Sequence, residues 1–186
     1  CKAASMDVDL DTLPSFIEHL VLDGSALLGY GNALDNTVTG NSTENDLFGG
    51  SGNDTLWGHG GADTLSGADG DDHLYGHAGA DSIMGGIGSD TLDGGADIDT
   101  LSGGSGDDLY ILRTAGDVIG DISHLELSEA DLGTDRIQSY VDWNLADSPW
   151  IHELVLAGNN PIDGFGTDGD DHITGNILSN IIEGNG

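Results

Sequence analysis

The sequence between residues 49 and 111 divides into seven successive blocks of nine residues: GGSGNDTLW, GHGGADTLS, GADGDDHLY, GHAGADSIM, GGIGSDTLD, GGADIDTLS and GGSGDDLYI. Two more degenerate blocks, GNALDNTVT and GNSTENDLF, precede them, so the nine-residue period begins at residue 31. Every block starts with glycine, has Asp or Asn in its sixth place, and has Leu, Ile, Val or Tyr in its eighth place. Such regularity indicates a repeat architecture and not a chance pattern.

Each block has the composition of a tight loop followed by a very short strand. The Gly-rich first six residues can adopt φ > 0 and bring backbone carbonyls close to a ligand. The next three residues place one apolar side chain inward. Two blocks then make one turn of a solenoid whose loops alternate between two edges. The sequence therefore predicts an all-β fold, a parallel β-roll of two sheets with the eighth-place side chains packed between them.

The charge of the chain is extreme for a folded protein. Asp and Glu number 34 against 3 Lys and Arg, which gives a net charge of −31, and aromatic residues make up only 5%. Nucleic acid and anionic membranes would repel such a chain, and no apolar run is long enough for a membrane helix. Because this composition lies near the disordered class, a compact fold needs a bound cation. The only cysteine is Cys1, which excludes an internal disulfide framework.

The blocks resemble the G-G-x-G-x-D-x-U-x nonapeptide of the RTX (repeats-in-toxin), hemolysin-type calcium-binding family, over residues 31–111 and again over 166–183. The resemblance implies a Ca²⁺ ion between loops that lie two blocks apart on the same edge. The sixth-place aspartates then supply side-chain oxygens, at Asp54, Asp63, Asp72, Asp81, Asp90, Asp99 and Asp108. Carbonyl oxygens complete the shell, at Gly50, Gly52, Gly61, Gly70, Gly79, Gly86, Gly88, Gly95, Gly104 and Gly106. Asn36, Asn45 and Asp171 are weaker candidates.

Neighbouring aspartates on one edge predict about five good sites. The pairs are Asp54/Asp72, Asp72/Asp90 and Asp90/Asp108 on one edge, and Asp63/Asp81 and Asp81/Asp99 on the other. Sites that involve Asn36 or Asn45 are expected to be weak or empty, because an amide lacks the charge of a carboxylate. Leu34, Thr43 and Asp97 replace the fourth-place glycine, so those three loops depart from the family pattern.

Calcium is expected to decide whether the chain folds. Extracellular modules bind Ca²⁺ with dissociation constants of about 10⁻⁴–10⁻³ M, and at about ten times that concentration each site contributes roughly 1.4 kcal/mol. About five sites then contribute about 7 kcal/mol, which is comparable with the net stability of a whole domain, about 5–15 kcal/mol. The hypothesis is that the chain is largely unfolded without Ca²⁺ and folds in millimolar Ca²⁺ outside the cell.

The roll is expected to continue on both sides of the repeat. The predicted segments are residues 1–30, the wider-strand end of a preceding unit; 31–111, nine nonapeptides; 112–165, a wider-strand continuation (strands 136–145 and 150–156, insertion 121–133); and 166–186, the start of another repeat block. Gly31 and Gly40 match Gly166 and Gly175, which lie fifteen block lengths further along the chain. This echo predicts a fragment of a longer tandem array, with Cys1 inside a unit.

Motifs of catalysis are missing from the sequence. It contains no HExxH, no G-x-S-x-G, no phosphate-binding G-x-x-x-x-G-K and no Cys nucleophile beside a His. The acidic pairs keep the nine-residue phase, which indicates a ligand ladder, so an enzyme is not predicted. His59 and His77, two blocks apart in the second place, could hold a transition metal, but solvent-facing histidines are the simpler interpretation.

The leading functional prediction is a structural calcium-binding module of a secreted bacterial surface protein, adhesin or extracellular filament. The resemblance implies export by type I secretion, and open solenoid ends favour a homopolymer that stacks head to tail. One alternative is an accessory segment of a secreted protease, lipase or alginate epimerase, since the family's repeats also follow catalytic domains. Another is a face that binds polysaccharide or a cell surface through Phe48, Trp57 and Tyr75 in ninth places.

Overall fold

The structure is a computed structural model, and it describes residues 2–4, 8–9, 18–120, 133–148, 150–151 and 153–184. These residues form short strands and one single-turn 3-10 helix, Leu145–Asp147, and they contain no α-helix. The strands are β1 (Lys2–Ala4), β2 (Val8–Asp9), β3 (His19–Asp23), β4 (Leu28–Tyr30), β5 (Thr37–Thr39), β6 (Asp46–Ser51), β7 (Thr55–Gly60), β8 (Thr64–Asp69), β9 (His73–Ala78), β10 (Ser82–Ile87), β11 (Thr91–Ala96), β12 (Thr100–Ser105), β13 (Leu109–Leu112), β14 (Val118–Ile119), β15 (Arg136–Ser139), β16 (Trp143–Asn144), β17 (Glu153–Leu156), β18 (Gly164–Phe165), β19 (His172–Thr174) and β20 (Ile182–Glu183). Nothing helical in the described part of the chain is long and apolar enough to cross a membrane.

Successive strands alternate between two sides of a solenoid. The odd-numbered strands β1 to β19 form one ten-stranded sheet, sheet 1. The even-numbered strands form sheet 2, with the seven strands β2 to β14, and sheet 3, with β16, β18 and β20. All of these pairings are parallel, and within each sheet a strand pairs with the strand two further along the chain. The predicted parallel β-roll is confirmed.

The register of the repeat stacks like residues on like. Leu56 pairs with Leu74, and Leu74 pairs with Leu92, so each eighth-place side chain lies on the eighth-place side chain of the next turn. The eighth-place residues have at most 2% of their surface exposed and form the centre of the core: Val38, Leu47, Leu56, Leu65, Leu74, Ile83, Leu92, Leu101 and Tyr110. Each such burial contributes roughly 1.5–3 kcal/mol.

The strands of the repeat are longer than the three residues that the sequence predicts. Strands β6 to β12 have six residues each, and they run from the seventh place of one block to the third place of the next. The hydrogen bonding between turns extends into the Gly-rich half of the block; for example, the Gly52 N–H donates to the Asp69 carbonyl at 2.9 Å. Only the fourth to sixth places remain to reverse the chain.

The strands after the repeat are shorter than expected. The predicted strand 136–145 is divided into β15, β16 and the 3-10 helix, and the strand predicted from residue 150 begins at Glu153. The Ser139 hydroxyl donates to the Val141 carbonyl at 2.7 Å, and this contact accompanies a bend between β15 and β16. Of the insertion predicted at 121–133, only Gly133 belongs to the described residues, and Cys1 lies outside them.

Candidate metal centre

The sixth-place aspartates form two ladders, one on each edge of the roll. On the first edge the Asp54 N–H donates to Asp72 Oδ1 at 2.7 Å, and the Asp72 N–H donates to Asp90 Oδ1 at 2.8 Å. On the second edge the Asp63 N–H donates to Asp81 Oδ1 at 2.8 Å. Each of these bonds joins one turn to the next. One carboxylate oxygen of each aspartate is therefore committed to positioning the loop of the previous turn.

The second carboxylate oxygen is buried without a hydrogen-bond partner in six of these aspartates: Asp54, Asp63, Asp72, Asp81, Asp90 and Asp99. Asp108 has the same placement but lies beside Tyr110, whose hydroxyl accepts the Gly103 N–H at 2.9 Å. A buried carboxylate oxygen without a partner costs free energy unless a proton or a cation satisfies it. Among the described residues no side chain donates to these six atoms, so a proton or a cation would stabilise them.

The protonation of these aspartates reflects the same cost. Burial raises the pKa of Asp54, Asp90 and Asp99 from 3.8 to about 7. Burial raises the pKa of Asp63, Asp72 and Asp81 to about 6. The backbone hydrogen bond that each receives lowers the pKa but does not outweigh burial, and neighbouring carboxylates raise it further. The ionised ladder is thus unfavourable without a counterion.

The glycines beside the aspartates adopt backbone angles that other residues rarely reach. All ten glycines singled out as carbonyl donors have φ between 104° and 135°. A Cβ added to Gly70 would overlap the carbonyl oxygen of Gly52, one turn earlier, so this carbonyl lies against the next loop. The same relation joins Gly88 to the Gly70 carbonyl. Fourth-place carbonyl oxygens therefore lie between successive loops, in the same loops that carry the ladder aspartates.

These donors are all oxygen, and they come mostly from the backbone. Within the part of the chain that the structure describes, no three His, Cys, Asp or Glu side chains converge on one point. A site here therefore combines one or two carboxylates with carbonyl groups and water. Ca²⁺ takes six to eight oxygen ligands in flexible geometry, whereas Zn²⁺ prefers a tetrahedron of nitrogen and sulfur ligands. The donor set fits Ca²⁺.

The comparison with known families agrees with this chemistry. A family model for the RTX calcium-binding nonapeptide repeat (4 copies) matches three times, over residues 30–65, 57–92 and 84–119. This part of the chain belongs to the RTX calcium-binding repeat family. Neither a curated protein nor a solved structure gives a match. The chain thus contains a β-roll built from repeats of the RTX calcium-binding family.

The first two RTX loops are closed in a different way. The Asn36 Oδ1 accepts the N–H of Asn32 in its own block at 2.6 Å, and the Asn45 Oδ1 accepts the Asn41 N–H at 2.7 Å. The Asn45 amide also donates to backbone carbonyls. Because these side chains are already satisfied by their own surroundings, the Asn loops lack the buried unpartnered oxygen of the Asp loops.

Departures from glycine in the fourth place have unequal effects on the RTX loops. Asp97 adopts φ 77° and keeps the backbone of the Asp loops, and Asp99 in the same loop retains its buried unpartnered oxygen. Leu34 and Thr43 do not have positive φ. The loop at residues 94–99 therefore resembles the regular loops more closely than the sequence indicates.

Two aspartates that the sequence analysis left out extend the RTX ladders. The Asp99 N–H donates to Asp117 Oδ1 at 3.2 Å, and the Asp108 N–H donates to Asp135 Oδ1 at 2.9 Å. Asp117 keeps the sixth-place phase in a tenth block that begins with Leu112 instead of glycine. Asp135 follows Gly133 and Thr134 and so completes the G-x-D of a regular loop. It lies 27 residues after Asp108, one block length more than the 18 residues that separate the other ladder partners. Both signals were present in the sequence.

The weak candidate Asp171 resembles the Asn loops. Its Oδ2 accepts the N–H of Thr167 in its own block and also the Thr167 hydroxyl, the latter at 2.9 Å. Gly169, in the fourth place of this block, does not have positive φ. Asp171 thus closes its own loop, and its Oδ2 is not left buried without a partner.

Proposed function

We propose that this chain is a structural β-roll module that folds when Ca²⁺ binds, in a protein secreted by a bacterium. The observation that carries the proposal is the row of six buried aspartate oxygens without hydrogen-bond partners, in a chain with a net charge of −31. Ca²⁺ satisfies these oxygens and neutralises charge between turns. Because the apolar core is one side chain wide, this electrostatic term decides between the folded and unfolded chain.

The proposed Ca²⁺ ligands follow the ladders. The Oδ2 atoms of Asp54, Asp72 and Asp90 on one edge, and of Asp63, Asp81 and Asp99 on the other, provide the charged oxygens, and Asp108 continues the first row. The carbonyl groups of the ten glycines with positive φ provide neutral oxygens. Each inner aspartate contacts the ions on both sides of its loop, so about five ions bind between regular loops.

The wider setting is proposed from the family and from the surface. RTX repeats are typical of proteins that leave the cell, where millimolar Ca²⁺ is available, so we place the module on a surface protein, adhesin or filament exported by type I secretion. Head-to-tail stacking of rolls through their strand edges belongs to the same proposal. Contact with a polysaccharide is a further possible role, and it would use the outer face of sheet 1, where Trp57 and Tyr75 lie on neighbouring strands.

A calcium titration followed by circular dichroism and electron microscopy on the same samples tests the proposal. We expect β-structure to appear near millimolar Ca²⁺ and to disappear in EDTA. Filaments that form together with β-structure would support the stacking role. Folding into monomers would favour a passive module of a larger protein, including an accessory domain of a secreted enzyme. Circular dichroism that does not change across the titration would refute calcium-dependent folding.

A further inference from the structure

The outer face of sheet 1 carries a ladder of stacked rings. Trp57 on β7 and Tyr75 on β9 stack with ring centroids 4.2 Å apart and an interplanar angle of 13°. His59 and His77, on the same two strands, stack at 5.3 Å and 6°. Parallel imidazoles at this separation do not point their nitrogen atoms at a common centre, so the pair does not have the geometry of a metal site. The rings form a surface instead.

The two histidines occupy backbone positions that favour glycine. His59 has φ 75° and His77 has φ 76°, in the second place, where most regular blocks have Gly. A side chain with a Cβ is strained in this conformation, because the Cβ comes too close to the following carbonyl oxygen. The roll therefore carries imidazoles beside Trp57 and Tyr75 although glycine would adopt this backbone conformation with less strain.

This ladder lacks one rung. The register of the turns places Gly95 after His77, and Arg113 after Gly95, along the second-place column. Gly95 has no side chain, so no ring from the next turn stacks on His77, and the Arg113 guanidinium reaches back to Asp93 on the strand of Gly95. The gap belongs to a shallow cavity of about 610 Å³ that Trp57 and Tyr75 also line. The missing ring leaves a recess, here called the slot, between the His77 ring and the Arg113–Asp93 ion pair.

The far wall of the slot is a fixed ion pair. The Arg113 guanidinium donates to Asp93 through Nε at 2.8 Å and through Nη2 at 2.6 Å. Asp93 is only 6% exposed, and Arg113 also lies over the Tyr140 ring at 4.8 Å. Bidentate geometry and the aromatic contact both restrict the guanidinium. The slot therefore has an aromatic wall on one side and paired hydrogen-bond donors and acceptors on the other.

We propose that this slot binds one hexopyranose ring of a neutral polysaccharide. A sugar ring has an apolar C–H face that can stack on His77 and Tyr75, and an edge of hydroxyl groups. Hydroxyl groups both donate and accept, which matches a carboxylate beside a guanidinium. The net charge of −31 repels uronates and sulfated sugars, so the ligand class is neutral. The inference rests on the proposed function only in requiring the calcium-folded roll.

The experiment uses the calcium-loaded chain and isothermal titration calorimetry with three neutral oligosaccharides: cellohexaose, laminarihexaose and mannohexaose. We expect at least one to bind. Tyr75→Ala removes the stacking wall and should weaken binding about five- to tenfold. Arg113→Ala removes the opposite wall of the slot and should weaken binding about tenfold, because a hydrogen bond to a charged group is lost. Circular dichroism on every sample verifies that the variant folds with Ca²⁺.

A matched control exists on the opposite face. Tyr30 stacks on Phe48 at 4.8 Å and 6° on the outer face of sheet 2, so Tyr30→Ala removes a similar ring far from the slot and should leave binding unchanged. The inference is overturned if the folded wild type binds none of the three sugars, or if Tyr75→Ala binds as tightly. Tighter binding of a hexauronate, or a dimer that Tyr75→Ala abolishes, would also overturn it in favour of an anionic glycan or a second copy. A chain that does not fold with Ca²⁺ would instead refute the proposed function, and the inference with it.

Discussion

Replacing Asp72 by Asn changes one buried oxygen and little else. Asp72 is fully buried, its Oδ1 accepts the Asp54 N–H at 2.7 Å, and its Oδ2 has no hydrogen-bond partner. An asparagine keeps the shape and can keep the carbonyl oxygen at the Asp54 N–H. It replaces the second oxygen by an NH₂ group, which cannot bind a cation. The substitution therefore separates metal binding from the hydrogen bond that positions the loop.

The two expected effects have opposite signs. With Ca²⁺ at about ten times its dissociation constant, each site stabilises the roll by roughly 1.4 kcal/mol, so loss of the two sites that Asp72 joins should lower the unfolding free energy by about 3 kcal/mol. Without Ca²⁺, the substitution removes a buried carboxylate whose oxygen lacks a partner. The calcium-free fold should then become more stable by about 1–3 kcal/mol.

Urea unfolding at fixed free Ca²⁺ measures the first effect, and folding by trimethylamine N-oxide in EDTA measures the second. Equilibrium dialysis should show about two fewer bound ions. The control is Asp71→Asn, because Asp71 is exposed and its Oδ1 accepts the Ser89 N–H at 2.8 Å. This exposed change should stay within about 0.5 kcal/mol in both media. If Asp72→Asn destabilises the roll equally with and without Ca²⁺, the reasoning about the unpartnered oxygen is refuted.

Three further outcomes are expected. Gly70→Ala, at φ 127° and against the Gly52 carbonyl, should destabilise the calcium-loaded roll by more than about 1 kcal/mol in urea, whereas Gly60→Ala, whose Cβ would meet only ordinary van der Waals contacts, should not; equal effects would contradict the strain argument. Asn45→Asp alone should add no bound Ca²⁺ by dialysis, and Asn45→Asp with Thr43→Gly should add one; a gain from the single variant would contradict the role given to the fourth place. In EDTA, acid should favour folding, because burial raises the pKa of the ladder aspartates from 3.8 to about 6 or about 7. That stability is fully present below about pH 4 and is lost as the pH rises through 6 to 7; circular dichroism that shows β-structure decreasing on acidification would contradict this.

The periodic part of the fold could be predicted from the sequence for a physical reason. Each turn meets an identical turn, so a residue type repeated every nine positions experiences the same environment each time. Leu56 and Leu74 are buried for the same reason, and Asp54 and Asp72 lie on one edge for the same reason. The register, the sheet order and the ladders therefore followed from the stacking of identical turns alone.

The rest could not be derived, because it depends on particular contacts. The extension of the strands into the Gly-rich half depends on backbone bonds such as that from Gly52 to Asp69. The closure of the Asn loops depends on Asn36 reaching back to Asn32, which a charge argument does not anticipate. Asp117 and Asp135 were missed for a different reason. Both keep the nine-residue phase of the sixth place, but their blocks do not begin with glycine, the residue by which the other blocks were recognised. The slot at Gly95 required knowing that the His77 ring lies on one side of it and the Arg113–Asp93 ion pair on the other.

Because successive strands alternate between two sides of the roll, it matters whether an insertion contains an even or an odd number of blocks. Adding two blocks to the repeat inserts one complete turn and leaves every later strand in its sheet. Adding a single block would send every later strand to the opposite sheet and would turn an outward aromatic row to the other side of the molecule. The chain carries such a surplus: Leu109 pairs with Arg136, three block lengths further on, and yet β15 remains in sheet 1. Genes for such rolls should therefore gain and lose blocks in pairs. An odd number of blocks should be tolerated only where the extra block adds no strand to either sheet.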